Sequence, residues 1–155
     1  MTTPPPERPR ELRLDLPAAH SAERMARSVL RQYAQREGVA EREIDTIEFV
    51  ASELLSNAVD HGGGNHAMEE SDLPGEVRMT LVFEVRAGGW EMRVGDQGGA
   101  KPEDVEHLLE PGEMPDLDDE RGRGFFLLQQ MIDELRVETS EDGKGLTFVA
   151  VRRHA

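Results

Sequence analysis

The sequence predicts an α+β protein: a two-layer sandwich with about three helices on one face of a mixed or antiparallel sheet. Two pairs of apolar, β-branched runs separated by turn glycines read as hairpins, and adjacent hairpins require antiparallel pairing. Three other stretches carry apolar residues at i, i+3, i+4, which is the pattern of helices with one buried face. A length of 155 residues suits one domain with one core.

Residues 1–10 (MTTPPPERPR) are charged and proline-rich and predict a disordered tail, leaving residues 11–155 as a single domain. Residues 11–16 alternate Leu12, Leu14 and Leu16 with charges, a half-buried strand closed by Pro17. Ser21 is placed to cap a first helix with Ala22, Met25, Ala26, Val29, Leu30 and Tyr33 on its inner stripe, ending before Gly38. A second helix is expected over 41–60, with Ile44, Ile47, Val50, Ala51, Leu54, Leu55 and Ala58 buried. His61 and the following glycines should stop it, and a polar loop should run to about Gly75.

The first hairpin joins 77–86 to 90–94 through Gly88 and Gly89. Residues 101–120 then hold nine acids against one lysine, with a weak helical pattern only at Val105, Leu108 and Leu109. This segment is expected to act as a lid. After Gly122 and Gly124 an apolar helix should occupy 125–132. A second hairpin, 135–139 with 146–151, turns around Asp142 and Gly143.

Composition excludes several classes. Lys and Arg number 18 against 32 Asp and Glu, a net charge of −14. A field of that sign disfavours direct DNA binding and anionic membrane surfaces, and suits a protein partner with basic surfaces. Cysteine is absent, which removes disulfides, iron–sulfur clusters and thiolate chemistry together. The five histidines show no metal-ligand spacing, and no phosphate-loop G-x-x-x-x-G-K-[ST] occurs. No run of about 18 apolar residues is present, so the expected location is the cytoplasm.

Three polar clusters remain. Glu53, Asn57 and Asp60 lie at helical spacing, so they share one ridge beside the buried stripe of the second helix. A carboxamide there supplies an oxygen for a magnesium phosphate while the glutamate stays free as a base. A solvated acidic face would give the same pattern. Asp96 and Gly98 follow a strand; the aspartate suits an exocyclic amine and the glycine admits a flat ring, though a tight turn looks alike. Gly122, Arg123 and Gly124 precede the apolar helix, where exposed N–H groups and the positive dipole end favour an anion.

E-x-x-x-N on a helix, D-x-G after a strand and G-x-G at a helix start, in that order, resemble the GHKL ATPase superfamily. Within it the chain resembles the bacterial anti-sigma-factor serine/threonine kinases, the RsbW-like group. The likeness is tightest in ELLSNAVDHG, VGDQG and GRGFFLLQQMIDELRVE and extends from Glu11 to Arg152. It implies a Bergerat-type sandwich with an ATP lid, and ATP and Mg²⁺ as cofactors. Glu53 would be the general base and Asn57 the Mg²⁺ ligand. Asp60, Asp96, Gly98, Gly122, Arg123, Gly124, Phe125 and Thr147 would complete the nucleotide site.

The resemblance further implies an anti-sigma regulator that sequesters a sigma factor and phosphorylates a Ser or Thr of a STAS-domain anti-anti-sigma partner, commonly as a homodimer. A nucleotide-gated binding module or switch kinase acting on another partner is the alternative. Two positions depart from the family pattern. Ala100 stands where many relatives have glycine, and Leu146 rather than Thr147 follows Gly145. In a regular strand that offset turns Thr147 to the other face.

Overall fold

In the computed structural model, which describes residues 10–62, 77–109 and 120–153, five strands form one sheet in the order β1-β2-β3-β5-β4. Every neighbouring pair is antiparallel. The chain runs β1 (Arg10–Pro17), α1 (His20–Arg36), α2 (Glu41–Gly62), β2 (Arg78–Arg86) and β3 (Gly89–Gly95). It continues through α3 (Pro102–Val105), a 3-10 turn at Glu106–Leu109, α4 (Glu120–Met131), β4 (Glu134–Thr139) and β5 (Leu146–Arg153). The expected tail before Arg10, the polar loop over 63–75 and the second half of the acidic segment, 110–119, lie outside the described residues.

Alternation decides which face the helices cover. Leu12, Leu14, Leu16, Met79, Leu81, Phe83, Trp90, Met92, Val94, Leu146, Phe148 and Ala150 point to one side and join the core. On the other side run cross-strand rows of charge, with Glu84, Glu91 and Glu134 beside Arg93 and Arg136. Arg93 donates to Glu91 at 2.9 Å, and Arg136 donates to Glu138 at 3.0 Å. That face is satisfied by its own ion pairs, so the apolar face alone needs a helical layer. α2 packs on β2, β3 and β5, flanked by α1 and α4.

At the end of the sheet away from Asp96, Trp90 Nε1 and Arg152 Nε both donate to Glu43 Oε1, at 2.9 and 3.0 Å. Gly89 makes this packing possible. Its φ is +147°, and a Cβ there would stand 1.8 Å from the Arg152 carbonyl oxygen on β5.

Three local expectations are corrected. α1 begins at His20, with Ala19 rather than Ser21 at its N-cap. The tight turn after β1 sets the start: the Ala19 N–H donates to the Pro17 carbonyl at 2.8 Å, and the Ala22 N–H to the Ala19 carbonyl at 3.1 Å. The inner stripe of α1 is also narrower than predicted. Ala22, Ala26, Leu30 and Ala34 are buried in an i, i+4 row, while Met25 and Val29 are 56% and 37% exposed.

α4 begins at Glu120, so Gly122 and Gly124 lie inside its first turns rather than before them. Glycine costs about 1 kcal/mol in a helix interior. Its return here is proximity, because a Cβ on Gly124 would come within 2.7 Å of Glu53 Oε2 on α2. Gly124 thus lets the two helices approach.

Candidate functional site

A cleft of about 290 Å³ opens where the last turns of α2 face the first turns of α4. Glu53, Ser56, Asn57, Asp60 and His61 line it from α2; Arg121, Arg123, Gly124 and Phe125 line it from α4. The i, i+4, i+7 spacing of Glu53, Asn57 and Asp60 thus becomes one polar wall, as the sequence predicted. Arg123, Gly124 and Phe125 stand opposite, and Gly122 is buried within α4.

Asn57 is only 7% exposed. Its Oδ1 accepts from Arg121 Nε at 2.7 Å, and its buried Nδ2 has no hydrogen-bond partner among the described residues. An orphaned buried donor costs about 1–3 kcal/mol. A phosphate oxygen would satisfy Nδ2, and Oδ1 already holds a cation. The residue therefore fits a magnesium-bound phosphate chain.

Glu53 is half-buried, and burial first, then the charge of Glu23, pushes its carboxyl above the usual carboxylate range. Glu23 on α1 is itself fixed by two hydroxyls, Ser52 Oγ and Ser56 Oγ, each donating at 2.8 Å. A carboxylate with a raised pKa is a stronger base. The sign of its effect on folding follows: ionised Glu53 is penalised only in the folded state. That penalty is absent below the ordinary carboxylate range and complete above the raised value. Glu53→Gln should melt higher than the wild type at pH 8, with the difference vanishing as the pH falls below the ordinary carboxylate range, measured by differential scanning calorimetry.

Asp60 is exposed at the cleft's edge and lies 2.9 Å from His20 Nε2. Asp96, 6% exposed, follows β3 and does not line the cleft. Its Oδ1 accepts from the Gly98 and Leu146 N–H groups, at 3.0 and 3.1 Å. Burial raises its pKa, and these two bonds and the charge of Arg121 oppose the rise. Both bonds use Oδ1, which leaves Oδ2 for an exocyclic amine. Gly145 holds the aspartate in place by yielding to it: a Cβ there would sit 2.3 Å from Asp96 Oδ1.

Thr147 does not line the cleft between α2 and α4. Strand pairing is regular through Gly95↔Thr147 and Glu138↔Thr147, so no bulge turns it inward. It faces the charged side of the sheet and lines a cavity there with Thr80, Gly95 and Asp96.

Sequence reasoning passed over Arg121 and gave Gly145 no role. Arg121 bridges the site's two halves: Nε holds Asn57 and the charge reaches Asp96. Its Cζ lies 5.7 and 5.9 Å from the ring centroids of Phe125 and Phe148, which are 5.1 Å apart. Helical spacing would have found it, since Arg121 and Phe125 are four apart. Starting the helix at Phe125 hid that relation.

The chain is similar to several known proteins. The histidine kinase-like ATPase domain family matches residues 16–150. The anti-sigma F factor of Clostridium acetobutylicum is 29% identical over 147 residues, covering 94% of each chain. That of Geobacillus kaustophilus is 30% identical over 146 residues, covering 93% of this chain and 92% of its own. Among solved structures, the SiaB–SiaC complex of Pseudomonas aeruginosa shares the fold with a TM-score of 0.64 at 15% identity. That match covers 90% of this chain and 87% of the other. The RsbU and RsbW domains of a Mycobacterium tuberculosis protein match with a TM-score of 0.55 at 20% identity, over 92% of this chain and 32% of that one. The chain belongs to the histidine kinase-like ATPase domain family.

Proposed function

We propose that this chain is an ATP·Mg-dependent anti-sigma regulator. It holds a sigma factor inactive and phosphorylates a Ser or Thr on a STAS-domain anti-anti-sigma partner. The observation that carries the reading is the pairing of Glu53, a half-buried carboxylate of raised pKa, with Asn57, a buried carboxamide whose Nδ2 has no acceptor among the described residues. A module that only binds ATP needs the carboxamide; phosphoryl transfer also calls for the base. The names of the similar anti-sigma F factors support the choice of partner class.

Bound ATP·Mg supplies the transferable phosphoryl group and the metal's charge. Asn57 Oδ1 would be a metal ligand, and Asp96 Oδ2 would accept from the adenine amine, next to Gly98. Glu53 would take the proton from the attacking hydroxyl as its oxygen bonds to the γ-phosphorus and ADP leaves. Arg123 and the N-terminal turn of α4 face the developing negative charge. Met25 and Val29 leave an apolar pair on the outer side of α1, which suits a protein partner. The reading also implies a cytoplasmic homodimer; no helix among the described residues is long and apolar enough to cross a membrane.

A pull-down from native cell extract, with and without ATP·Mg, tests the partners. Mass spectrometry should find a sigma factor and a STAS-domain protein, the latter phosphorylated on Ser or Thr only when ATP·Mg is present. Recovery of neither class would contradict the proposal.

A further inference from the structure

Arg121 engages groups that the proposed nucleotide would itself have to meet. Its Nε donates to Asn57 Oδ1 at 2.7 Å, and its guanidinium rests by the Phe125 and Phe148 rings. Oδ1 is the carboxamide's acceptor atom, and a guanidinium and a divalent cation on one oxygen repel each other. Glu53 and Asp60 line the same cleft. Two carboxylates and a carboxamide oxygen would attract a divalent cation with no nucleotide present, and the cleft already supplies a cation from α4.

We infer that Arg121 is the resident cation at Asn57 Oδ1. It holds Asn57 in the nucleotide-free protein and keeps Mg²⁺ alone off that oxygen. It gives Oδ1 up when a polyphosphate offers the guanidinium a charge-assisted, bidentate partner. Entry of the metal is thereby tied to entry of the nucleotide. Arg121 is a positioning residue that acts through Asn57, and the inference rests on the ATP·Mg reading above.

Nitrogen-15 NMR of the full chain tests it, reading the Arg121 Nε–H, the Asn57 side-chain amide and the backbone amides of Gly98 and Leu146. In the wild type, Mg²⁺ alone should leave the Arg121 and Asn57 signals in place. Mg·ADP should shift Gly98 and Leu146 and displace the Arg121 Nε–H signal. In Arg121→Met, Mg²⁺ alone should move the Asn57 amide at concentrations about tenfold lower than in the wild type, as expected on removing a competing charge.

The inference is overturned if Arg121 Nε–H stays put while Mg·ADP moves Gly98, or if Mg²⁺ alone titrates Asn57 equally in both proteins. Should the variant fail to fold, the wild-type arm decides by itself. If Mg·ADP moves neither Gly98 nor Leu146, the nucleotide reading fails, and this inference with it.

Discussion

Glu53→Gln should lower phosphoryl transfer to the protein partner by about 10²–10⁴-fold, the usual worth of a general base, while ATP affinity stays within a few fold. The substitution keeps the side chain's shape, so the 2.7 Å limit set by Gly124 and the approach of α4 to α2 are preserved. What it removes is the proton acceptor beside the attacking hydroxyl. Because the ionised carboxylate is penalised by burial and by Glu23, the variant should also be more stable at neutral pH. Loss of transfer in a better-folded protein separates chemistry from collapse. Transfer of γ-phosphate label at the wild-type rate would remove Glu53 from the reaction.

Asp96→Asn should weaken ATP and ADP alike, by about tenfold to a hundredfold, the scale of a buried hydrogen bond replaced by facing donors. The Gly98 and Leu146 N–H groups fix which end of the new carboxamide is which. Its oxygen must go on accepting both, at the position of Oδ1. Nδ2 is then forced to where Oδ2 stood, so a donor meets the adenine amine. Guanine carries a carbonyl oxygen at that ring position, so GTP should not suffer the loss that ATP and ADP do. Calorimetry would read the loss directly, and unchanged ADP affinity would place adenine elsewhere.

Much of the fold was legible because its periodicities are clean. The alternation in 11–16 and the two glycine-turned hairpins predicted an antiparallel sheet, and α2 carries its buried stripe over about four turns with Glu53, Asn57 and Asp60 beside it. Thr147 shows the same rule applied at the site: alternation alone turned it to the far face, and the regular ladder to Gly95 and Glu138 keeps it there.

What stayed hidden depends on tertiary proximity. Gly122 and Gly124 read as punctuation before a helix, yet Gly124 is where α4 closes on Glu53. Gly145 looked like part of a turn, and it is the space that Asp96 fills. Met25 and Val29 fit a helical stripe, but α1 packs along a row of alanines that draws it close to α2 and leaves them outside. Arg121 became visible only when the helix start moved back to Glu120, bringing it onto the same face as Phe125.

The central claim is that the two halves of this site, Asn57 with Glu53 on one side and Asp96 on the other, bind one adenine nucleotide with magnesium. Titration calorimetry of the full chain with Mg·ATP and, separately, Mg·GTP tests it most directly. One Mg·ATP should bind per chain and Mg·GTP should give no measurable heat, because guanine carries a carbonyl oxygen at C6 where adenine carries the amine that Asp96 would accept. No binding of Mg·ATP, or equal binding of the two nucleotides, would contradict it.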